Sequence, residues 1–331
     1  MTSTLNGARV LVTGAGGFIG GHVVERLVRE GAEVRAMVRY TSRDTHGSID
    51  ELPAEVREAV EVVRGELRDV ESVDAAVAGC EIVLHLGAQI AIPYSYVNPR
   101  DYLEVNALGT LNVCQAALRH GVSRLVQTST SEVYGTAQQI PITEAHPLEP
   151  QSPYAASKVA ADKTADAFHR SFDLPAVILR PFNTYGPGQS ARAVIPTIVS
   201  QALAGGTLRL GSLDPRRDLT YVEDTAAGFL AAATAPEAVG RTIQLGVNHD
   251  VSVADIVELV GDIVGRELEV ELDPQRVRPE KSEVLRLISS PALAAELLGW
   301  IPTVELREGL ERTVAWIDEH RTRYRTGEYA V

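Results

Sequence analysis

A tyrosine and a lysine stand four residues apart near the start of one helical pattern. They are Tyr154 and Lys158 of the string YAASK, and only three lysines occur in the whole chain. The i, i+4 spacing places the phenol and the ammonium on the same face of a helix. A neighbouring ammonium favours the phenolate, and a phenolate can take the proton of an alcohol. The pair therefore predicts the oxidation of a hydroxyl group.

Three polar residues, Thr130, Ser131 and Glu132, follow the predicted strand Leu125–Gln127. Ligands of open α/β sheets collect at the carboxyl ends of strands, so we expect these side chains to face the substrate. Thr130 can hydrogen-bond a sugar hydroxyl, and Glu132 is the carboxylate placed to remove a proton from carbon. The alternative is that these side chains only cap the local backbone. We add all three to the candidate catalytic site.

A glycine-rich segment separates the first predicted strand, Val10–Val12, from a helix predicted over Phe18–Arg29. Every third residue of its string GAGGFIG is glycine. Glycines allow a tight turn and the close approach of a pyrophosphate, which the free N–H groups of the helix N-terminus can bind. A structural turn without a ligand is the alternative, although the strand before and the helix after favour a dinucleotide. The predicted cofactor contacts in this loop are Gly14, Gly17, Phe18, Ile19 and Gly20.

The residue after the second predicted strand, Glu33–Val38, indicates which dinucleotide binds. An acidic residue there would hold the ribose 2′-hydroxyl of NAD, whereas this chain has Arg39. A guanidinium suits a 2′-phosphate, and Arg43 could add a second charged contact. We therefore favour NADP and keep NAD as the alternative, since both arginines could be solvated surface residues. The further predicted cofactor contacts are Glu66, at the adenine amino group, and Leu67, Leu86, Ala88 and Lys158.

Three polar side chains farther along the chain could hold a substrate. Asn183 stands in the string RPFNTYGP, and Arg217 and Arg278 are well separated in sequence. Two arginines can clamp a pyrophosphate through paired hydrogen bonds. Each arginine alone could equally form a surface ion pair. We predict these three as substrate-binding residues, and we predict no metal site.

Short β-branched strands alternate with longer helical patterns through the first 180 residues. This alternation predicts an α/β fold, a doubly wound parallel sheet of the Rossmann type with a smaller C-terminal substrate-binding domain. We assign residues 1–180 and roughly 224–250 to the dinucleotide-binding domain, and residues 181–223 and 251–331 to the substrate-binding domain. The remaining predicted elements are strands at Val62–Val63, Ile82–His85 and Val177–Leu179, and helices at Asp101–His120, Tyr154–Ser171 and Leu306–His320.

The composition excludes several classes of protein. A content of 45% hydrophobic and 23% charged residues is ordinary for a globular chain. The formal net charge of −13 would repel a nucleic acid. No apolar run approaches the roughly 18 residues that cross a bilayer, and Cys80 and Cys114 fit buried thiols in a reducing compartment. We expect a soluble cytoplasmic enzyme that binds neither nucleic acid nor a membrane.

Several strings together resemble those of the extended short-chain dehydrogenase/reductases along essentially the whole chain. They are GAGGFIG at 14–20, HLGA at 85–88, STSEVYG at 129–135, YAASK at 154–158, RPFNTYGP at 180–187, RRDLTYVED at 216–224 and ELLGWIP at 296–302. Within that family the chain most resembles the 4,6-dehydratases of legionaminic acid biosynthesis, which act on a nucleoside diphosphate N-acetylglucosamine. The strings behind this finer resemblance are VRYTSR at 38–43, IAIPYSYVNP at 90–99 and GPGQSARAVIPTI at 186–198.

The resemblance implies the 4,6-dehydration of a nucleotide sugar. Tyr154 would deprotonate the C4 hydroxyl as a hydride passes from C4 to the nicotinamide, and the resulting ketone would acidify the C5 proton. Glu132 would remove that proton, water would leave C6, and the hydride would return to C6. The residues that would bind the substrate are Thr130 at the C4 oxygen, Asn183 and Arg217 at the nucleotide sugar, and Arg278 at the pyrophosphate.

Two residues depart from the pattern of the deoxythymidine-glucose dehydratases. Ser131 stands where they carry an Asp that protonates the departing hydroxyl, and a serine is a poor proton donor near neutral pH. Elimination would then use Glu132 as both base and acid, or an ordered water. The guanosine-mannose dehydratases share the Thr-Ser-Glu order, so dehydration stays our prediction. Glu66, in place of an Asp at the adenine contact, is the second departure.

Three other functions fit parts of this pattern. UDP-glucuronate decarboxylases also carry STSEVYG and begin with the same oxidation. A C4 epimerase would leave Glu132 without a role, and a non-catalytic NADP-binding sensor would leave Tyr154 and Lys158 without one. The family also implies a homodimer through a four-helix bundle, for which the alanine-rich face of the helix bearing Tyr154 would allow close packing.

Overall fold

The computed structural model describes residues 5–276, 284 and 286–324. The strands are Arg9–Thr13 (β1), Glu33–Val38 (β2), Val60–Arg64 (β3), Ile82–His85 (β4), Arg124–Thr128 (β5), Ala176–Pro181 (β6), Asn183–Tyr185 (β7), Leu208–Leu210 (β8), Arg216–Tyr221 (β9), Thr242–Leu245 (β10), Asp250–Ser252 (β11), Val270–Leu272 (β12) and Arg286–Leu287 (β13). The α-helices are Phe18–Arg29 (α1), Ala54–Glu58 (α2), Val70–Val77 (α3), Ile92–Val97 (α4), Pro99–Tyr102 (α5), Gly109–Arg119 (α6), Pro153–Phe172 (α7), Val194–Ala204 (α8), Val222–Thr234 (α9), Val253–Val264 (α10), Ala292–Leu298 (α11) and Leu306–Glu319 (α12). Within these ranges no helix combines the length and the apolar character needed to cross a membrane.

Seven strands of the described chain form one parallel sheet in the order β10-β6-β5-β4-β1-β2-β3. The chain runs outward from β1 through β2 to β3 and then crosses back to β4. This reversal of strand order opens a crevice at the carboxyl ends of β1 and β4, where such sheets bind their ligands. The predicted doubly wound parallel sheet is therefore confirmed.

The alternation of side chains along β1 explains why helices cover both faces of the sheet. Val10 and Val12 pack in one core with α1, α9 and α11. Leu11 points to the opposite face and packs in a second core with α3, α6 and α7. Both cores are fully shielded, as expected for a parallel sheet whose strands are apolar on both sides.

A third core lies in the second half of the chain, where α8, α10 and α12 pack with β8 and β9. Strand β9 is the centre of a small mixed sheet, since it pairs antiparallel with β11 and parallel with β7 and β13. Helix α11 instead contributes Ala294 to the core of α1 and α9. The domain boundaries proposed from the sequence stay a prediction.

The helix predicted over Asp101–His120 is divided in the structure. Helix α5 is followed by a π-helical turn at Leu103–Leu108, and α6 begins at Gly109. A π-turn accommodates one extra residue per turn without breaking the helical run, so the apolar periodicity does not reveal it. The turn brings the Asn106 side chain to the end of β4, where it bonds Gln89 twice.

Candidate active site

The glycine-rich loop after β1 is closely packed in a way that only glycine permits. Gly14 has a φ of +70°, and a Cβ there would lie 2.7 Å from the Gly87 Cα. A Cβ on Gly20 would lie 2.3 Å from the Gly14 carbonyl oxygen. The loop therefore folds back against the residue that follows β4, and it fits a dinucleotide through the bare backbone that it presents at the crevice.

Helix α1 begins directly after this loop, with Gly17 as its N-cap. No side chain caps the helix, and its first turn carries no acidic residue. Its first N–H groups and its positive dipole end are therefore available to an anion such as a pyrophosphate. Phe18 and Ile19 are half-buried and pack against the core of the second half of the chain, so this end of α1 contacts both parts of the molecule.

The other predicted cofactor residues lie around the same crevice. Arg39 directly follows β2, and it and Arg43 are exposed; among the described residues neither has an ion-pair partner. Glu66 is half-buried and pairs with Arg68 at 3.2 Å, so its carboxylate is partly engaged. Leu67 is buried at the position where a Cβ on Gly87 would touch its side chain. The remaining two, Leu86 and Ala88, are the first and third residues after β4 and are half-buried.

The candidate catalytic pair lies in the first turns of α7. Ser152 caps this helix by accepting a hydrogen bond from the Ala155 N–H, and Pro153 occupies its first position, both of which favour a helix start. Tyr154 is 8% and Lys158 is 4% exposed. The Tyr154 ring stands edge-on to Tyr102, with 6.3 Å between ring centroids. Packing therefore holds the phenol in one position before any ligand binds.

The sequence predicts a lowered pKa for the Tyr154 phenol, whereas the structure indicates a raised one. Burial raises the pKa of Tyr154 above its ordinary value, the hydrogen bond with Thr130 lowers it, and the charge of Glu132 raises it again. Burial also lowers the pKa of Lys158 to about 8, whereas the charge of Asp162 raises it. The i, i+4 pattern places the pair correctly but does not indicate how deeply it is buried, and burial disfavours both charged forms.

The polar segment after β5 forms a tight 3₁₀ turn, Ser131–Tyr134. The Thr130 hydroxyl caps this turn by accepting a hydrogen bond from the Glu132 N–H at 3.2 Å. It also hydrogen-bonds the Tyr154 phenol, so local capping and contact with the catalytic pair occur together. Ser131 is buried at 3% exposure, whereas Glu132 is partly exposed. The turn thus connects a carboxylate with open access to the tyrosine.

The three predicted substrate residues differ in what the structure gives for them. Asn183 begins β7, and its Oδ1 is buried without a hydrogen-bond partner among the described residues, which suits a polar ligand group. Arg217 lies in β9 and donates to the backbone oxygen of Arg216 at 3.0 Å. Arg278 lies outside the described residues. A clamp made by the two arginines therefore stays a prediction.

A buried hydrogen-bond chain below the site was missed by the sequence reasoning. The Thr110 hydroxyl donates to the Asn106 carbonyl at 2.6 Å, so it must accept from the His85 Nε2–H at 3.2 Å. The other ring nitrogen, Nδ1, then accepts from the Thr13 hydroxyl at 2.7 Å. The only sequence signal was a histidine ending an otherwise apolar strand. These three hydrogen bonds connect Thr13, next to the dinucleotide loop, to the helical turn that bears Asn106.

The buried position of His85 predicts that the free energy of unfolding falls at acid pH. Burial lowers the pKa of His85 from 6.5 to about 3, with the charge of Lys158 acting in the same direction. The unfolded state therefore takes up the proton first, and stability is lost as the pH falls below about 6.5. Between pH 7 and pH 5 we expect His85 to account for about 2 kcal/mol of the lost unfolding free energy.

Urea unfolding of the wild-type protein and of His85→Gln at the two pH values measures this contribution. The variant should lose about 2 kcal/mol less than the wild type on acidification. His249→Gln, at an exposed position, is the control and should behave as the wild type does. Equal losses in all three proteins would contradict the prediction.

The chain is similar to known nucleotide-sugar enzymes over nearly all of its length. A sequence model of the family "GDP-mannose 4,6 dehydratase" matches residues 11–313. A dTDP-glucose 4,6-dehydratase of Streptomyces antibioticus is 33% identical over 317 residues, which cover 94% of this chain and 93% of the relative. A UDP-glucose 4-epimerase of Mycolicibacterium smegmatis is 34% identical over 318 residues, covering 92% and 97%.

The fold has the same relatives. The dTDP-glucose 4,6-dehydratase of Streptomyces venezuelae, solved with NAD bound, superposes with a TM-score of 0.86 at 31% identity, covering 96% of this chain and 98% of that one. The parallel sheet, the glycine loop and the Tyr154–Lys158 pair occur together in a chain of which more than nine-tenths aligns with such enzymes. The chain belongs to the extended short-chain dehydrogenase/reductase family of nucleotide-sugar dehydratases and epimerases.

Proposed function

We propose that this chain is a 4,6-dehydratase that converts a nucleoside diphosphate N-acetylhexosamine, UDP- or GDP-N-acetylglucosamine, to its 4-keto-6-deoxy product. One observation carries the proposal. Thr130 hydrogen-bonds the Tyr154 phenol and caps the turn that bears Glu132, whose charge acts on that phenol. The Tyr154–Lys158 pair, for the oxidation, and an accessible carboxylate, for the C5 proton, therefore share one site, and dehydration needs both.

The proposed reaction assigns one proton to each group. Tyr154 takes the proton of the C4 hydroxyl, which Thr130 orients through its own hydroxyl. The Gly14 loop and the start of α1 would hold the pyrophosphate of a dinucleotide, whose oxidised nicotinamide would accept a hydride and return it. Once C4 is a ketone, the proton on C5 is acidic and Glu132 removes it. Lys158, beside the phenol, stabilises negative charge on the tyrosine oxygen.

The proton that the C6 hydroxyl needs in order to leave as water has one clear source on this turn. Ser131 is buried, and a serine hydroxyl does not ionise near neutral pH. Glu132 is protonated once it has taken the C5 proton, so it can deliver that proton to the departing oxygen. We therefore assign both roles to Glu132, as base and then as acid. After the hydride has returned to C6, C5 takes a proton from solvent, and Tyr154 releases to solvent the proton that it took from the C4 hydroxyl.

The choice of an N-acetylhexosamine is supported by the strings at 38–43, 90–99 and 186–198, which resemble those of the 4,6-dehydratases of legionaminic acid biosynthesis. Incubation of the enzyme with UDP- and GDP-N-acetylglucosamine, dTDP-glucose and UDP-glucuronate, followed by mass spectrometry, tests it. We expect loss of one water from an N-acetylglucosamine nucleotide. Turnover of dTDP-glucose alone would contradict the sugar assignment and leave dehydration in place.

The same experiment separates the rival reactions. A decarboxylase releases carbon dioxide from UDP-glucuronate. A 4-epimerase, the activity named for one relative at 34% identity, gives an isomer of unchanged mass. A protein that binds the dinucleotide and changes none of these sugars would be a sensor. Loss of water and loss of carbon dioxide differ in mass, and chromatography of the sugar nucleotides separates an isomer from unchanged substrate. Dehydration fails unless one water is lost.

We propose that NADP is the preferred dinucleotide, with NAD possible. The support is Arg39 at the end of β2 and Arg43 nearby, both exposed and without an ion pair among the described residues. Charged hydrogen bonds to a 2′-phosphate contribute roughly 1.5–3 kcal/mol. We therefore expect Arg39→Ala to weaken NADP binding about 30-fold and to change NAD binding little.

Titration calorimetry of both dinucleotides measures this preference. Arg26→Ala, at an exposed position in α1, is the matched control and should bind NADP as the wild type does. The structural relative from Streptomyces venezuelae contains NAD, so the titration must include NAD as well as NADP. Equal or tighter binding of NAD by the wild-type protein would overturn the preference.

We further propose a homodimer formed through α6 and α7. Leu118 on α6 and Phe172 on α7 are 40% and 54% exposed and line one surface cleft with Phe168. The alanine face of α7 that the sequence suggested for the dimer contact is not at the surface as a whole, because Ala155 and Ala161 are buried within their own chain. Light scattering should give a dimer that Leu118→Glu dissociates, whereas Ile301→Glu, at an exposed residue elsewhere, should not.

We place the enzyme in the cytoplasm. The support is that Cys80 and Cys114 are both buried free thiols. Burial raises the pKa of Cys114 to about 12, so this thiol is unreactive and needs no oxidising compartment. Fractionation of cells that make the protein, followed by immunodetection, tests the assignment; recovery with the envelope would contradict it.

A further inference from the structure

A buried carboxylate stands one helical turn beyond Lys158 and has no role in the chemistry proposed above. Asp162 is 1% exposed. Its Oδ2 accepts hydrogen bonds from Ser129 Oγ at 2.6 Å and from Arg180 Nε and Nη2 at 3.2 and 2.9 Å. A buried ion pair adds little stability over apolar packing, so its presence at the catalytic site calls for another explanation.

The two members of this ion pair hold opposite ends of the catalytic turn. Asp162 binds Ser129, the residue that leads from β5 into the turn, and the Ser129 N–H is also bonded to Leu179 at 2.7 Å. Arg180 donates to the hydroxyl of Tyr134, the last residue of the turn, at 3.1 Å and lies 5.1 Å from the centre of its ring. Between these fixed ends stand the residues that meet the substrate.

We propose that Asp162 and Arg180 are positioning residues that together fix the turn bearing Thr130 and Glu132 against Tyr154. The contact of Asp162 with Ser129 and that of Arg180 with Tyr134 depend on each other, because the ion pair orients both side chains. Neither touches the reacting atoms. The catalytic consequence of this inference rests on the proposed function, whereas the placement of the turn does not.

Asp162 also supplies negative charge near Lys158. Its second oxygen, Oδ1, is buried without a hydrogen-bond partner among the described residues, so the carboxylate is incompletely neutralised. Its charge raises the pKa of Lys158 against the effect of burial. Other titratable and charged groups surround Asp162 and Lys158. They are Tyr154 on α7, Tyr102 on α5, His85 at the end of β4, Glu132 on the turn and Arg180 in β6.

NMR of the ligand-free full chain tests both effects. The protein is labelled with ¹³C at lysine Cε, where three lysines give three signals, and Lys158→Arg assigns Lys158. Its titration midpoint should lie near 8 in the wild type. Asp162→Asn keeps an acceptor for Ser129 but removes the charge, so we expect the midpoint to fall by about one pH unit.

Ser129→Ala separates the positional effect from the charge, and it replaces a neutral side chain, so it does not leave a buried charge unpaired. We expect it to leave the Lys158 midpoint unchanged and to shift the ¹³Cζ signal of Tyr154, assigned with Tyr154→Phe, because Thr130 moves. Asp166→Asn, the same change one turn farther along α7 at a residue paired with Arg170, should alter neither signal.

A wild-type Lys158 titration in Asp162→Asn, or an unmoved Tyr154 signal in Ser129→Ala, would overturn the inference. With substrate, both variants should lower kcat about tenfold at unchanged KM, since small misplacements of catalytic groups are costly. If both NMR effects appear and no nucleotide sugar is turned over, the proposed function fails and the positioning role stands.

Discussion

Tyr154→Phe should lower kcat by about 10³-fold, within the range that a positioned acid or base contributes. The variant keeps the ring that packs edge-on against Tyr102 and removes only the hydroxyl that Thr130 contacts. No group then takes the C4 proton, so the hydride does not leave C4. Stopped-flow absorbance of the reduced nicotinamide should accordingly detect no reduction phase after mixing with substrate.

Tyr185→Phe is the matched control for this change. Tyr185 is 1% exposed, and its hydroxyl donates to the Leu306 carbonyl at 3.2 Å, away from the catalytic pair. Loss of this hydroxyl should cost stability and leave kcat near the wild-type value. Dinucleotide binding should be unchanged in both variants. If Tyr154→Phe retained full turnover, Tyr154 would not be the base and the mechanism would have to be abandoned.

The parallel sheet was predictable because its signals are local. Valines give β1 and β2 short β-branched runs, and α1 begins directly after the glycines at the position that the sequence indicates. The π-turn at Leu103–Leu108 was not predicted, since it shifts the apolar pattern by a single residue while the helical run continues. Its purpose appears only in three dimensions, where Asn106 reaches Ser157 on α7 at 2.8 Å.

The proximity of Thr130, Glu132 and Tyr154 could be predicted from the sequence, whereas the electrostatics of the candidate site could not. Tyr154, Lys158 and Glu132 were identified from residue type and spacing alone. Their burial was not, and burial reverses the expected direction of the phenol pKa. His85 and Asp162 were missed because a single buried polar residue in an apolar pattern has no spacing partner in the sequence. Such residues are recognised by their contacts, which arise only when distant elements pack.

Glu132→Gln should separate the two halves of the proposed reaction. The amide preserves the size of the side chain, and the backbone N–H of residue 132 still donates its hydrogen bond to the Thr130 hydroxyl. The amide cannot take the C5 proton. Oxidation at C4 should proceed, so the reduced nicotinamide should accumulate after mixing, while formation of the 4-keto-6-deoxy product should fall about 10³-fold. This pattern is the converse of Tyr154→Phe, which blocks reduction itself.

Solvent isotope labelling makes this test specific for the carbon atom concerned. In deuterated water the wild-type product should carry deuterium at C5, and Glu132→Gln should abolish its incorporation into the bound sugar. Glu149→Gln, at an exposed carboxylate bonded by Gln138 at 2.9 Å, should label as the wild type does. A 4-epimerase needs no base at C5, so full conversion of the sugar to an isomer by Glu132→Gln would favour epimerisation, whereas an unchanged rate of water loss would show that Glu132 is not the base. Accumulation of reduced nicotinamide without labelling would instead assign the C5 proton to Glu132, because oxidation alone leaves that proton in place.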